Sequence, residues 1–298
     1  MRRSCFTLLL LGAFLLSACS ASTAGASTST KYITNNGSDT IVNLALAWAE
    51  RYATEHPDIQ ISVSGGGSGV GISALISGTV DIANASRKIK DEEVQAAEAN
   101  GTQPVEHVIA RDAIAVIVNP NNPVSQLTLE QISAIYRGEI TNWSQVGGED
   151  RPIVKLSRET NSGTHVYFLE SVIRLGQSDN EDIFSADTLL LPSSEGIIAE
   201  VSENPNAIGY DGLGYVTDGV KVLAIGTQID GPYVMPSIDT VNSNAYPISR
   251  DLYMYTTQSP SQIIQDYLDW IVSDEAQEIV SQLGFVPILT ATEGQMTP

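Results

Sequence analysis

Cysteine is nearly absent from this chain, and both of its cysteines, Cys5 and Cys19, lie near the amino terminus. A disulfide framework in the body of the chain is therefore excluded, and the fold must be stabilised by a packed core. Histidine is also scarce, because His56, His107 and His165 are far apart and lack the spacing of metal ligands. We therefore expect neither a metal site nor another cofactor.

Basic residues are few as well. The chain has 15 Lys and Arg against 35 Asp and Glu, which gives a formal net charge of −20 at pH 7. Because nucleic-acid binding requires a basic face, this balance argues against a nucleic-acid partner. Arg158, which lies shortly before Ser-Gly-Thr at 162–164, is therefore conspicuous in such an acidic chain.

Long apolar runs are missing from the body of the chain, and the one at the amino terminus reads MRRSCFTLLLLGAFLLSAC. Two arginines, an apolar run shorter than the ~20 residues that span a bilayer, and small residues are typical of a secretory signal. LSAC, residues 16–19, resembles a bacterial lipobox, in which the cysteine is lipidated; an ordinary signal cleaved nearby is the alternative. We predict a signal peptide at 1–18, a lipid on Cys19 and a flexible linker at 19–30.

Short apolar segments rich in β-forming residues alternate with helical segments between residues 31 and 298. Strands are predicted at 32–36, 59–65, 80–86, 112–120, 152–158, 207–212, 220–226 and 250–257. Helices are predicted at 40–57, 69–78, 128–138, 163–176 and 194–205. This alternation is typical of an α/β fold with largely parallel sheets, in which ligands bind where strand ends turn into helices.

Three strand-to-helix turns share one chemistry: NNGSDT at 35–40, SGGGSGVG at 64–71 and NSGT at 161–164. The first N–H groups of a helix lack a partner within the helix and carry a partial positive charge, so such an end can hold an anion. Ser, Thr and Asp are also common helix caps, and glycine is common in turns, so any single turn has a purely structural explanation. Three turns together, with Arg87 and Arg158 nearby, favour a shared oxyanion site.

Other ligand classes fit these turns poorly. SGGGSGVG lacks the Gly-Lys-Ser/Thr ending of a phosphate loop and does not contain Gly-x-Gly-x-x-Gly in register. A hydrolase is suggested by His165, three residues after Ser162, but such a pair without a nucleophile elbow makes a poor triad. We therefore predict a binding protein and not an enzyme.

Six segments resemble, in order, the phosphate-binding proteins of bacterial ABC phosphate transporters, within the class II periplasmic-binding-protein family. They are GSDT, SGGGSGVGISALISGTVDIANASRKIKDEE, IYRGEITNWSQVGG, SRETNSGT, NAIGYDGLGYV and YLDWIVSDEAQEIVSQLGFVPI. The resemblance implies two α/β lobes, joined by two crossover strands that act as a hinge, with phosphate in the cleft between them. With crossovers at 112–120 and 250–257, lobe 1 would comprise 31–117 and 250–298, and lobe 2 would comprise 118–249.

The resemblance also implies which residues bind phosphate. The implied ligands are Ser38, Asp39, Thr40, Ser68, Arg87, Arg158, Ser162, Gly163 and Thr164. Well-known members have an aspartate where this chain has Arg87, so the chain resembles a branch with Ser-Arg at that place. Asp39 then becomes the candidate acceptor of the phosphate proton, and Arg87 the candidate to hold Asp39 ionised.

Simpler explanations exist for the charged members of this set. Arg158 could form a surface ion pair with Glu159 or Glu170, which would contribute little to stability. Asp39 could serve only as a helix cap, and Arg87 could face solvent or bridge the lobes.

The expected partners are inorganic phosphate and the permease subunits of an ABC transporter. We expect an extracytoplasmic monomer whose only contact with the membrane is the lipid anchor. A non-transporting anion sensor or scavenger of the same fold, and a receptor for another tetrahedral oxyanion, are the alternatives. Both stay open at this point, because docking surfaces leave no motif in a sequence.

Overall fold

The structure is a computed structural model, and it describes residues 30–288. The predicted signal peptide, Cys19 and all of the predicted linker except its last residue lie outside the described residues. Within residues 30–288, no helix is both long enough and apolar enough to cross a membrane. The same residues contain no group of three or more His, Cys, Asp or Glu side chains that could hold a metal ion.

Strands and helices alternate along the described residues. The strands are β1 (Lys31–Gly37), β2 (Ile59–Ser64), β3 (Ile82–Ala85), β4 (Pro104–Val118), β5 (Gln126–Thr128), β6 (Val154–Arg158), β7 (Leu189–Leu191), β8 (Ala207–Gly212), β9 (Lys221–Val222), β10 (Ala224–Gly226), β11 (Tyr233–Val234) and β12 (Ser249–Thr257). The helices are α1 (Asp39–Glu55), α2 (Ser68–Ile76), α3 (Asp91–Ala99), α4 (Leu129–Arg137), α5 (Gly163–Phe168), α6 (Ser194–Glu203), α7 (Ile238–Asn242), α8 (Gln262–Ile271) and α9 (Asp274–Gln282).

Each predicted strand and helix is found, with three differences in extent. β4 begins at Pro104 and not at 112. Its first part is only partly buried and lacks the continuous apolar run of its second part, so the apolar pattern indicated only the second part. The predicted strand at 220–226 is divided into β9 and β10, which pair with β4 and β5 respectively. The predicted helix at 163–176 is α-helical only over α5 and continues as a π-helical turn, Leu169–Ile173.

One curled sheet of nine strands connects most of the molecule, in the order β2-β1-β3-β12-β4-β8-β6-β7, with β9 also paired to β4. β1 is parallel to β2 and β3, and β6 is parallel to β7 and β8. β12 and β4 run antiparallel to their neighbours and to each other, so the sheet is mixed and not largely parallel as predicted. The chain passes from one half of the sheet to the other along β4 and returns along β12, so these two strands run in opposite directions.

β4 and β12 are the two strands that link the halves. The first part of β4 pairs with β12, and residues 114–118 of β4 pair with β8 in the other half of the sheet. Asp112 of β4 stands opposite Arg250 of β12, at the place where β4 passes from one half to the other. This is the two-lobed α/β architecture that the resemblance implies, with these two strands as crossovers.

Packing of α1 against the sheet places the first strand-to-helix turn. Its buried residues recur at helical spacing and include Ile41, Leu44 and Trp48. The indole N–H of Trp48 donates a hydrogen bond of 2.9 Å to the carbonyl oxygen of Ala276 in α9. Because this face is fixed in the core, the amino-terminal end of α1 is held at the carboxyl end of β1.

A second core holds β6 and α5. It contains Tyr136 of α4, Phe168 of α5 and Tyr210 of β8, and the rings of Phe168 and Tyr210 stack with their centres 3.5 Å apart. The hydroxyl of Tyr136 donates to the carbonyl oxygen of Leu156 at 3.0 Å. The turn between β6 and α5 is thereby held against a rigid support.

Candidate functional site

The three glycine- and hydroxyl-rich turns meet in the structure. They follow β1, β2 and β6 and begin α1, α2 and α5. Five predicted site residues with hydroxyl groups are buried there together: Ser38, Thr40, Ser68, Ser162 and Thr164. The turns therefore form one site between the two halves of the sheet.

Hydrogen bonds among hydroxyl groups join the turns. Thr40 Oγ1 lies 2.8 Å from Thr164 Oγ1 across the two halves. Ser38 occupies the N-cap position of α1 but makes no side-chain cap; its hydroxyl donates to Ser86 Oγ at 2.9 Å. Ser68 Oγ accepts the backbone N–H of Ser86 at 3.0 Å. These hydroxyls are thus committed to the site and not to ordinary helix capping.

Ser162 and Gly163 have local roles that shape the third turn. Ser162 is the N-cap of α5, and its hydroxyl accepts the N–H of Thr164 at 3.2 Å. A Cβ on Gly163 would overlap the hydroxyls of Ser68 and Ser86. Glycine at this position therefore allows the turn at 161–164 to approach closely the residues that follow β2 and β3.

The two halves also touch at the rim of the site. The side-chain amide of Asn161 donates to the carbonyl oxygen of Gly66 at 2.9 Å, and its main-chain oxygen accepts the N–H of Gly69 at 3.1 Å. Gly67 has a φ of 95°, a conformation that favours glycine, and a Cβ there would press on the Asn161 carbonyl. The hydroxyl groups are enclosed behind this contact.

Arg158 lies beside Asp39 and is only 1% exposed. Its Nη2 donates to Asp39 Oδ2 at 2.7 Å and to the carbonyl oxygen of Pro192 at 2.9 Å, and its Nη1 donates to Ser194 Oγ at 2.8 Å. A surface ion pair with a neighbouring glutamate is therefore the wrong explanation for this arginine.

Asp39 is the first residue of α1, and its carboxylate does not cap that helix. Oδ1 accepts the backbone N–H of Gly66 at 3.0 Å, while Oδ2 accepts from Arg158. The hydroxyl of Tyr215 donates to the main-chain oxygen of Asp39 at 2.5 Å. Hydrogen bonds from both lobes thus fix the orientation of the carboxylate, and its arginine partner is Arg158.

Arg87 is not brought together with Asp39. It is 9% exposed, and its Nη1 and Nη2 donate to the two carboxylate oxygens of Glu93 at 2.8 and 2.7 Å. Its Nη1 also donates to the carbonyl oxygen of Lys88 at 2.9 Å. Burial alone would raise the pKa of Glu93, but the hydrogen bonds from Arg87 and from the Lys90 N–H lower it. The expectation that Arg87 holds Asp39 ionised is therefore wrong, and this arginine does not face solvent either.

Arg250 is a site residue that sequence reasoning missed. Its Nη2 donates to Thr164 Oγ1 at 2.9 Å and to Asp112 Oδ2 at 3.0 Å, and lies 3.4 Å from Thr40 Oγ1. Its Nη1 donates to the carbonyl oxygen of Ser86 at 2.8 Å. The available signal was a charged residue at the start of each predicted crossover, Asp112 and Arg250.

Ser86, Ser194 and Asp211 were missed too. Ser86 stands directly before Arg87, in the motif from which only the arginine was chosen. Ser194, at the start of α6, donates to Asp211 Oδ1 at 3.0 Å and accepts from Arg158. Ser194 and Asp211 thus face Arg158, whereas the main-chain oxygen of Ser86 accepts from Arg250.

Two buried carboxyl groups stand behind the guanidinium groups. Burial raises the pKa of Asp112 to about 6, Arg250 opposes this rise, and the neighbouring Asp211 adds to it. Burial likewise raises the pKa of Asp211, and Arg158 opposes that rise. Both groups therefore gain a proton more readily than ordinary aspartates do.

His165 is not placed for hydrolysis. Its Nδ1 lies 3.0 Å from Ser157 Oγ, and its ring stacks on Phe184 with the ring centres 4.4 Å apart. Burial lowers the pKa of His165, which favours a neutral ring. Its polar partner is thus Ser157, and Ser162 is occupied as a helix cap.

The arrangement suits a small, protonated oxyanion. Two guanidinium groups and several hydroxyls supply donors, and the starts of α1, α2 and α5 add a partial positive charge. Asp39 supplies a hydrogen-bond acceptor, and an anion without a proton has no donor to offer it.

Comparison with known proteins identifies the family. Residues 22–275 match the family model of the PBP superfamily domain. The chain belongs to the PBP superfamily. Within this superfamily it is 31% identical over 269 residues to the phosphate-binding protein PstS of Pseudomonas aeruginosa, covering 85% of this chain and 81% of that protein. It is 30% identical over 294 residues to PstS of Bacillus subtilis, covering 94% and 93% respectively.

Solved PBP structures agree with this membership. A protein assigned to phosphate ABC transport in Clostridium perfringens, crystallised with bound phosphate, matches with a TM-score of 0.78 and 33% identity. The match covers 87% of this chain and all of that one. An ABC-type phosphate transport receptor from Vibrio cholerae matches with a TM-score of 0.68 and 30% identity over 86% of this chain and 100% of that one. The PBP fold here is thus the two-lobed class II form.

Proposed function

We propose that this chain binds inorganic phosphate between its lobes and delivers it to an ABC permease. The observation that carries the proposal is the buried meeting of Arg158, Asp39 and the Thr40–Thr164 hydroxyl pair, with contributions from both lobes. Its PstS relatives are named as phosphate-binding proteins, and the Clostridium perfringens structure contains phosphate. The role is that of a binding protein, without catalysis.

Each group in the site has a task in this proposal. Arg158 and Arg250 supply two positive charges for the phosphate oxygens. The proposed hydroxyl and main-chain donors are Ser38, Thr40, Ser68, Ser162, Gly163 and Thr164. Asp39 accepts the phosphate O–H. Arg87 acts indirectly, because its pairing with Glu93 fixes the turn that follows Ser86.

Closure of the lobes over phosphate is part of the same proposal. Lobe 1 would comprise residues 31–117 and 250–298, and lobe 2 residues 118–249. Crossover strands β4 and β12 would absorb the hinge rotation, as element ends do in other closing domains. The contact between Asn161 and Gly66 would then be a feature of the closed state.

Calorimetric titration of a soluble form that begins at Lys31 tests the ligand. We expect phosphate to bind at least about tenfold more tightly than sulfate or molybdate, which corresponds to ~1.4 kcal/mol. A proton on the anion is the distinguishing feature, because Asp39 can accept it. Equal or tighter binding of sulfate or molybdate would instead indicate a receptor for another tetrahedral oxyanion.

An extracytoplasmic, lipid-anchored monomer is the proposed form in the cell. Cys19 would carry the lipid, and the Cys19→Ala variant should lose membrane association because no acyl chain is then attached. Fractionation of cells that express each form measures this, with Cys5→Ala, inside the predicted signal, as the matched control. A Cys19→Ala protein that remains as membrane-bound as its parent would contradict the anchor.

A further inference from the structure

Two buried carboxyl groups lie behind the guanidinium groups of the proposed phosphate site. Asp112 of β4 and Asp211 of β8 are both 0% exposed. The carboxylate oxygens of Asp112 would lie only 2.9 and 3.0 Å from a Cβ placed on Gly212, the residue after Asp211. Asp112 and Asp211 are called the carboxylate pair below.

The guanidinium groups separate this carboxylate pair from the site hydroxyls. Arg250 donates to Asp112 Oδ2 from Nη2 at 3.0 Å and from Nε at 3.3 Å, and the same Nη2 reaches Thr164 Oγ1. Arg158 Nη1 is 3.7 Å from Asp211 Oδ2. An anion bound at the hydroxyls would therefore share both cations with the carboxylate pair.

Asp211 is only half satisfied by hydrogen bonds. Its Oδ1 accepts from Ser194 Oγ at 3.0 Å and from the N–H of Gly212 at 2.8 Å. Its Oδ2 is buried and has no hydrogen-bond donor within residues 30–288. A buried acceptor of this kind is costly as a charged oxygen and is well suited to hold a proton.

The charges of the site do not balance once phosphate is present. Arg158 and Arg250 face three carboxylates, those of Asp39, Asp112 and Asp211, so the site is already short of positive charge. Phosphate adds at least one negative charge. The starts of α1, α2 and α5 offset part of it in front of the guanidinium groups, and the start of α6, at Ser194, lies between Arg158 and Asp211. Burying an uncompensated charge is expensive, and protonating a carboxylate removes it.

We propose that the carboxylate pair takes up one proton from solvent when phosphate binds, so that an O–H bond forms on Asp112 or Asp211. This inference rests on the proposed phosphate site. In this proposal the two residues adjust the net charge of the site by taking up a proton, although neither would touch phosphate. The proton is assigned to either residue, because both are buried and each faces one of the two arginines.

The pH window follows from the site without phosphate. Burial holds the pKa of Asp112 at about 6, and a nearby anion raises the pKa of a carboxyl group further. Around pH 6 and above, binding therefore draws in a proton, whereas well below pH 6 the proton is already bound. By linkage, this contribution to phosphate affinity is lost as the pH rises through the raised pKa.

The tyrosines packed around the carboxylate pair do not compete for this proton. Burial raises the pKa values of the tyrosines packed around it, so they stay neutral throughout this window. The titratable and charged groups that face the pair are Asp39, Arg158, Tyr167, Tyr210, Tyr215, Tyr246 and Arg250.

Infrared difference spectroscopy at pH 6 tests the inference on the wild-type protein. Phosphate contains no carboxyl group, so a gain of the protonated-carboxyl C=O stretch in the bound-minus-free spectrum reports the protein alone. We expect this gain in wild type, and we expect it to be absent or strongly reduced in Asp112→Asn or Asp211→Asn. Asp251→Asn is the matched control: Asp251 follows Arg250 on β12, but its side chain lies near Arg111, is 43% exposed, and should leave the band unchanged.

The outcomes separate this inference from the proposed function. Calorimetric phosphate binding without a carboxyl band in wild type overturns the proton uptake and leaves the phosphate site intact. A band that persists in both variants overturns the assignment to the carboxylate pair. Absence of phosphate binding in wild type would contradict the proposed function itself. If either variant fails to fold, the wild-type spectrum still decides whether a proton is taken up.

Discussion

Arg158→Ala is expected to lower phosphate affinity by roughly tenfold to a hundredfold. A hydrogen bond to a charged group contributes ~1.5–3 kcal/mol, and each ~1.4 kcal/mol is a factor of ten in the dissociation constant. The structure adds a second loss, because Arg158 also compensates Asp39 and approaches Asp211. Removing one partner of a buried ion pair also lowers the free energy of unfolding by ~3–5 kcal/mol, since the other charge is left uncompensated.

Calorimetric titration with phosphate measures this effect, and thermal unfolding of the same samples separates lost binding from lost folding. Arg137→Ala is the matched control, because Arg137 lies in the same lobe but forms its ion pairs with Glu139 and Asp182 near the surface. Arg158→Lys should fall between wild type and Arg158→Ala, since lysine keeps the charge but not the planar fork. An unchanged dissociation constant in a folded Arg158→Ala protein would remove Arg158 from the site.

Asp39→Asn is expected to admit sulfate, with a gain in sulfate affinity of at least about tenfold, or ~1.4 kcal/mol. An ionised carboxylate accepts hydrogen bonds and donates none, so it can take the phosphate O–H but repels a bare sulfate oxygen. An asparagine amide can present either its oxygen or its N–H₂ group, and it carries no charge. Phosphate affinity should therefore change less than sulfate affinity.

Paired titrations with phosphate and sulfate at matched ionic strength provide the measurement. Asp58→Asn is the control, because Asp58 lies in the same lobe and its side chain is partly exposed beside Lys31. The ratio of the two dissociation constants is the quantity to compare among the three proteins. If Asp39→Asn rejects sulfate as strongly as wild type does, discrimination between the anions lies elsewhere in the cleft.

The predicted strands and the three turns were found because their signals are local, whereas β5, β7 and β11, of two or three residues each, give no such signal. Apolar runs, glycine and hydroxyl residues stand next to one another in the sequence, and Arg158 lies within a few residues of Thr164. Arg250 could not be found in this way, because its contact with Asp112 joins residues 138 positions apart. Strand register decides that contact, and the sequence pattern leaves register undetermined.

Arg87 shows the opposite error. Its true partner, Glu93, is six positions away and starts α3 as part of a capping arrangement with the N–H of Lys90. The segment RKIKDEE already contains this local partner, whereas the predicted pairing with Asp39 rested on the cost of leaving a carboxylate in the cleft unpaired.

The interleaving of the two ends of the chain has a consequence for the order of assembly during synthesis and export. The sheet that contains β1, β2 and β3 is completed only by β12, and Trp48 of α1 finds its acceptor at Ala276, 228 positions later. Contacts of such long separation form late and slow the search for the native state. The middle segment can pack its own core earlier, while the amino-terminal segment waits for β12, α8 and α9. Because Arg250 arrives with β12, the floor of the cleft is among the last parts of the molecule to form, and an incomplete chain has no finished cleft.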